Sequence, residues 1–424
     1  MPGFTLAEKI VARASGREGV RAGDVVTCRL DLAMIHDSGG PRRVAPILER
    51  LGAGVWDPAR VVLVNDHFAP GFDAESAAIL HGSRRWAKAN GIAAFYDMRG
   101  ICHVVVPEHG HLRPGMFAIG GDSHSPTGGA FGCLMFGVGA TDMACALATG
   151  DTWLRTPETM VVEIDGALPL GVCAKDVMLT LCRRLGMDGA GYRVVEYRGS
   201  AIEAMDMQER MTLCNMAAEL GGLSGIVPAD ETTWRYLDRF GHPRPDDLAR
   251  LRSDADAEIA EIVRLGPSEI GPQVAAPHSP ENTSAVDTFA GVAFDVAYIG
   301  ACTGAKLVDL QMAASVLKGR SVASSVRLLV APASQRTIEM AAADGTLAIL
   351  TAAGATLLPS GCGACAGYGA GVLAEGEVCL SSTARNFRGR MGDKTSAVYL
   401  GSPYTVAASA IVGTIADPRE FLKG

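Results

Sequence analysis

The sequence predicts an α/β fold, and three observations carry that prediction. Apolar runs of strand length alternate with runs of helical period. Glycine is abundant, at 51 of 424 residues, against a usual share of about 7%. Hydrophobic residues make up 48% of the chain and charged residues only 20%, enough apolar material for more than one core. At about 150 residues per domain the length predicts roughly three domains. Alternation of this kind sets sheets beneath covering helices.

Taken in order, the opening MPGFTLAEKIVARASGREG mixes charged and apolar residues at helical spacing over AEKIVARA. It lacks the apolar core of a secretory leader, so a cytoplasmic location is expected. VVTCRL and residues 61–64 read as strands, SAAILHGSRRWAKAN as a helix, and HVVVP and MVVEI as strands. VMLTLCRRLGM and DLARLRSDADAEIAEIVRL read as helices, followed by VAYIG and VRLLVAP as strands. Between positions 266 and 295 the chain is rich in Pro, Ser, Ala and Thr without a sustained apolar period, and reads as a connection between lobes. The expected lobes are residues 1–160, 161–280 and 285–424. Charge-free stretches such as 123–141 are broken by Gly, Pro, Ser and His, and do not read as a membrane span. With 38 basic against 46 acidic residues the net charge is -8, so no general field attracts nucleic acid or an anionic membrane. A small anion must find local cations.

Eleven cysteines cannot all pair. Cys28, Cys133, Cys145, Cys173, Cys182 and Cys214 lie in apolar or small-residue stretches and read as small buried hydrophobes. Three others stand in unusual surroundings. The strand-like VAYIG runs into Ala301-Cys302-Thr303-Gly304, followed by the helical AKLVDLQMAASVL, and PSGCGACAGYGAG sets Cys362 and Cys365 in a glycine-rich C-x-x-C. A C-x-x-C fits a redox pair or half a zinc site. Three thiols in two tight loops, with no fourth ligand in a matching setting (Cys379 lies in the strand-like EVCLSS), also suit an iron-sulfur cluster with one iron free of protein ligands. Such an iron can serve as a Lewis acid. Spacing alone leaves iron-sulfur, zinc and no metal all open.

Polar clusters interrupt apolar segments at Asn65-Asp66-His67, Cys102-His103 and Asp122-Ser123-His124. An aspartate beside a histidine fixes its tautomer and raises its basicity, as proton transfer requires, and ends of strands are where α/β folds bind ligands. Asn215 and Glu219, four residues apart, are expected on one helix face. His36, His81, His109, His111, His242 and His278 read as structural or solvated. Late in the chain SSTARNFRGRMGDK offers Arg385, Arg388 and Arg390, permanently charged forks suited to carboxylates.

The segment running from GICHVVVPEHG through GGDSHSPTGGAFG to TWLRTPET resembles the aconitase superfamily. So do ERMTLCNMAAELGG, PADETT, IGACTGAKLVDL, CGAC, RNFRGR and the closing ADPRE. Within the superfamily these motifs are similar to the branch of 3-isopropylmalate dehydratase and homoaconitase large subunits, from about residue 23 to 420. The resemblance implies a three-lobed α/β/α architecture lacking a C-terminal swivelling domain. It implies that Cys302, Cys362 and Cys365 hold a 4Fe-4S cluster whose fourth iron, not ligated by protein, binds substrate. Asp66 with His67, His103, and Asp122 with His124 correspond to acid-base and hydrogen-bonding groups around that iron. Ser123 lies in the substrate loop, and Asn215 and Glu219 lie near the open iron, Glu219 orienting a histidine. Arg385 and Arg390 correspond to carboxylate-binding arginines.

The implied activity is dehydration and rehydration of a small hydroxy di- or tricarboxylic acid of isopropylmalate type; citramalate with citraconate, dimethylmalate, maleate and homocitrate are the other substrates considered. The implied partner is a separate small subunit that completes the site; neither nucleic acid nor membrane is expected as a partner. An iron-sensing RNA-binding protein and a zinc-bound structural protein are the competing classes; the acidic balance and the intact Asp-His clusters speak against the first. Two positions depart from the family pattern: Gly304 stands where relatives commonly carry Asn after Cys-Thr, and Ala384 where they carry Asn before Arg-Asn-Phe.

Overall fold

The computed structural model describes residues 2–244 and 248–422. Three main sheets and a two-stranded antiparallel ribbon (Val25–Arg29 with Asp151–Arg155) organise the chain. Among the described residues no helix is long and apolar enough to cross a membrane.

The first sheet is fully parallel, in the order Ala94–Asp97, Val61–Asn65, Leu32–His36, Phe117–Gly120, Leu134–Gly137. Its central strands are buried along their whole length, as expected where helices cover both faces. Alternate residues serve two cores. Met34, Val62 and Val64 pack with Val104, Val105 and Val106, whereas Ala33, Ile35, Val61 and Leu63 pack with Leu6, Ile10 and Val11 of the first helix. That helix, Leu6–Ser15, begins at a reciprocal Thr5–Glu8 capping box and ends at Gly16 in the left-handed region.

The second sheet is also parallel, in the order Ser224–Ile226, Val194–Arg198, Thr159–Ile164, Glu261–Leu265. The third has seven strands. Its parallel part runs Ala397–Gly401, Val378–Ser381, Val296–Ile299, Arg327–Val330, Thr356–Leu357, and Gln273–Ala275 and Thr283–Ala285 join one edge in antiparallel sense.

Three readings of the sequence are corrected. HVVVP belongs to a helix, Cys102–Glu108, every residue of which is buried; burial on all sides removes the amphipathic period and leaves only a β-branched run that mimics a strand. DLARLRSDADAEIAEIVRL is not one helix: within it the described residues form a 3-10 turn, Leu248–Leu251, and the edge strand Glu261–Leu265, while Asp247 lies outside the described residues. The stretch 266–295 is more than a connection, because its two three-residue strands complete the third sheet. Such short strands leave almost no periodic signal.

Strand order positions the site. In the first sheet the order in which strands are added reverses between Leu32–His36 and Phe117–Gly120, and in the third between Val296–Ile299 and Val378–Ser381. Crevices at the carboxyl ends of strands beside such reversals are the ligand sites of α/β sheets. The two crevices meet: the Cys362 amide donates to the Asp66 carbonyl at 3.0 Å. Gly361 permits this approach, since its φ is +153° and a Cβ there would lie 2.6 Å from the same carbonyl oxygen.

Candidate active site

Three strand ends of the first sheet deliver acids and histidines. After Leu32–His36, Asp37 accepts the His67 and Phe68 amides at 3.0 and 2.8 Å. After Val61–Asn65, Asp66 takes the His67 Nδ1 proton at 2.7 Å and the Cys102 amide at 2.7 Å. Burial works against a charged His67, yet the Asp66 carboxylate, with Asp37 and Asp122 behind it, raises it to about 9. Asp66 itself, although burial opposes its ionisation, is held below the usual carboxylate range by His67. His36 stacks on His67 with ring centroids 4.3 Å apart and donates from Nε2 to the Gly121 carbonyl at 3.0 Å. Burial, and then the charge on His67, push His36 down to about 4, so it stays neutral.

After Phe117–Gly120, Asp122 Oδ1 receives His103 Nε2 and the His124 amide, both at 2.7 Å, and Oδ2 lies 3.9 Å from His67 Nε2. Despite burial, His103 and His124 hold Asp122 well below the carboxylate range. Glu219 Oε1 is shared between His124 Nε2 at 3.0 Å and Arg385 Nε at 2.6 Å, and Arg385 Nη1 donates to Ser123 Oγ at 2.9 Å. Burial would raise Glu219, but Arg385 and His124 bring it down to about 2. His124 moves the opposite way from a simple ion-pair partner: burial and the neighbouring Arg385 outweigh Glu219 and lower it. The Glu219–Arg385 pair is therefore the charged one, with His124 held as a neutral hydrogen-bonding group.

The third sheet delivers the thiols. Cys302 follows Val296–Ile299, with Ala301 in the left-handed region at φ 69°, and Cys362 caps the 3-10 turn Gly363–Ala366 that contains Cys365. Burial raises all three thiols, each within electrostatic reach of the others. The ligand atoms of His36, Asp37, Asp66 and His67, and of His103, Asp122 and His124, lie within 4.8 Å of one another, and the three thiols belong to neither group. Three buried thiols without a fourth protein ligand beside them fit an iron-sulfur cluster better than a closed tetrahedral ion site. The lining fits as well. Asn215 Nδ2 donates to Cys302 Sγ at 3.1 Å and to Thr127 Oγ1 at 2.8 Å, Arg390 lies against Cys365, and the buried Arg390 Nε, Tyr298 hydroxyl, Asn215 Oδ1 and Glu219 Oε2 have no protein partner.

Apart from Arg388, the residues singled out from the sequence for chemistry lie in one connected crevice: Asp66, His67, His103, Asp122, Ser123, His124, Asn215, Glu219, Cys302, Cys362, Cys365, Arg385 and Arg390. Asn215 and Glu219 differ from expectation in geometry. Asn215 ends the helix Met207–Asn215, Glu219 sits on the following 3-10 turn, Met216–Leu220, and they are not on one α-helical face. Arg388 points to solvent and Cys145 is exposed rather than buried. His36 and Asp37 are the residues that reasoning from sequence passed over. Their signal was present, since they close an apolar run just as Asp66 and His67 do. Both departures from the family pattern lie against the crevice. A Cβ on Gly304 would fall 2.1 Å from Ser382 Oγ, and Ala384 is buried beside Arg385.

The aconitase family (aconitate hydratase) model matches residues 72–413. A 3-isopropylmalate dehydratase large subunit of Methanopyrus kandleri is 46% identical over 99% of this chain and 100% of its own length. A probable homoaconitase large subunit of the methanogen Methanothermobacter thermautotrophicus is 43% identical over 98% of each chain. Among solved structures, Thermococcus kodakaraensis aconitase X in its holo-form aligns with a TM-score of 0.50, at 13% identity, over 85% of this chain and 84% of its own, a likeness of fold.

Proposed function

Because the chain belongs to the aconitase family of hydro-lyases, whose members use an iron-sulfur cluster, we propose that it is the large subunit of a dehydratase that isomerises a 3-isopropylmalate-like hydroxy acid. The observation that supports this is the unbroken array from the Asp66–His67 pair through Asp122 to Ser123 and Arg385, laid beside three buried thiols. Cys302, Cys362 and Cys365 would hold a 4Fe-4S cluster which, with one iron free of protein ligands, supplies Lewis acidity toward the substrate hydroxyl when bound.

The chain's own groups do the rest. Arg385, clamped by Glu219, and Arg390 bind carboxylates, and Ser123 orients the one at Arg385. His67 keeps its Nδ1 proton on Asp66, and its Nε2 proton is available to the hydroxyl as the carbon-oxygen bond breaks. A base takes the proton from the carbon next to a carboxylate, and that electron pair forms the double bond as hydroxide leaves with the His67 proton. Water then adds at the neighbouring carbon. His103 and His124 hold Asp122 and Glu219 as the anions that balance His67 and Arg385.

A small subunit supplies the carbon base and closes the crevice. The lobes proposed are residues 1–160, 161–280 and 285–424; the first sheet lies within the first, whereas Thr159–Ile164 of the second sheet straddles the first boundary and Gln273–Ala275 of the third sheet falls before the last. The eleven unpaired thiols suit a cytoplasmic setting. The test is co-expression with a small subunit, anaerobic reconstitution and a panel of unsaturated diacids. About three to four iron atoms with matching sulfide and hydration of an alkyl-substituted diacid support the reading; one zinc without sulfide sinks it. Because a similar relative is named a homoaconitase large subunit, preference for the homocitrate series is the second reading on the same panel.

A further inference from the structure

Lys175 is a buried cation that the mechanism above does not use. It stands in the first turn of the helix Ala174–Leu185 and is 1% exposed. Among the described residues no carboxylate lies within ion-pair distance of its Nζ. A side chain needed only for packing would not be a lysine, because an unpaired ammonium is costly to bury. Instead Nζ donates to two main-chain carbonyls, those of Ser382 at 3.2 Å and Thr383 at 2.5 Å.

Those carbonyls sit at a junction. They follow the strand Val378–Ser381 and precede Arg385. The Ser382 carbonyl also accepts the Thr303 hydroxyl at 3.1 Å, and Ser382 Oγ accepts the Gly300 amide at 3.0 Å, so the same two residues brace the loop that carries Cys302. On the other side the Thr383 hydroxyl donates to the Arg385 carbonyl at 3.4 Å. Burial pushes Lys175 down to about 8, while Glu219 and then Cys365 pull it back toward the charged form. The ammonium therefore persists at neutral pH.

We infer that Lys175 is a positioning residue for the reaction, holding the carbonyls of residues 382 and 383 so that Arg385 meets the substrate carboxylate in register. The inference rests on the reading of Arg385 as a carboxylate-binding residue. Lys175 reaches no substrate itself. It lends a helix set between two strands of the second sheet, Thr159–Ile164 and Val194–Arg198, to a loop that ends a strand of the third, and a substitution there releases the loop while leaving the side chains of Arg385, Glu219 and the three cysteines unchanged.

The experiment uses Lys175→Met, which removes the donor, and Lys175→Gln, which keeps an uncharged one. Hydrogen exchange of the peptide covering 381–390, followed by mass spectrometry on the chain before reconstitution, reads the loop directly. Michaelis constants per loaded cluster, measured with the small subunit, read its consequence. In the Met variant, exchange in 381–390 is expected to quicken about tenfold while Val61–Asn65 is unchanged, and KM to rise about tenfold with kcat falling less than about threefold. The Gln variant should recover part of the protection, and it carries the test alone if the Met variant does not fold. Exchange or KM within about twofold of wild type in the folded variant overturns the inference. Wild-type chain that hydrates no diacid overturns the functional reading instead, and the exchange measurement still decides whether Lys175 holds the loop.

Discussion

Replacing Glu219 by Gln tests the electrostatic argument at its centre. The carboxylate is fully buried and serves His124 and Arg385 through one oxygen. Gln keeps the shape but leaves the Arg385 guanidinium, whose side chain is 18% exposed, without its counter-charge. Depression of the Glu219 carboxyl from 4.5 to about 2 corresponds to about 3 kcal/mol. Since the folded value lies below the unfolded one, that stability is fully present above about pH 4.5 and is lost as pH falls through about 2. Urea midpoints should therefore place Glu219→Gln about 3 kcal/mol below wild type at pH 7, the gap narrowing on acidification toward pH 3. If Arg385 loses its register by the same energy, kcat/KM falls about 100-fold with cluster content unchanged. A variant within about 0.5 kcal/mol of wild type at pH 7, or within about threefold in kcat/KM, would refute the claim that Glu219 clamps a charged Arg385.

Three further outcomes are expected. Cys362→Ser should lose iron and sulfide on reconstitution while circular dichroism stays native; a full complement of both would remove Cys362 from the ligand set. Gly304→Asn, which restores the residue relatives commonly carry, should destabilise this chain by about 1–3 kcal/mol, because the new Cβ meets Ser382 Oγ at 2.1 Å, and thermal melting reads the loss. Glu108, whose carboxylate accepts the Ser334 hydroxyl at 2.9 Å, is raised to about 7 chiefly by burial. A carboxyl raised in the fold costs stability once pH climbs past its unfolded value near 4.5, the cost growing until about 7. Glu108→Gln should thus be more stable than wild type at pH 8, by up to about 3 kcal/mol, and indistinguishable at pH 4.5 in urea titrations. Equal midpoints at pH 8 would show that Glu108 ionises without penalty.

The chemistry-bearing residues were legible because most of them close an apolar run: a parallel strand buried on both faces reads as unbroken Val, Ile and Leu, and the first polar residues after it mark its carboxyl end. Asp66, His67, Asp122, His124 and Cys302 follow that grammar, whereas Arg385 was legible from the cluster of arginines in SSTARNFRGR. His36 and Asp37 follow it too and were passed over beside a glycine-proline turn. The helix Cys102–Glu108 was not legible, because complete burial erases the 3.6-residue period that distinguishes helix from strand. The three-residue strands Gln273–Ala275 and Thr283–Ala285 are held by their partners in the third sheet rather than by their own composition.

By itself the sequence determined the α/β class, the thiol triad and the Asp-His pairs, since residue type and local periodicity are properties of neighbours along the chain. Only the tertiary structure decided which pairs are charged. Glu219 acquires Arg385 from 166 residues away, Asp122 acquires His103 and His124 together, and Lys175 reaches the carbonyls of 382 and 383 across 207 and 208 residues. Burial and long-range partners set those protonation states, and no local pattern records either of them.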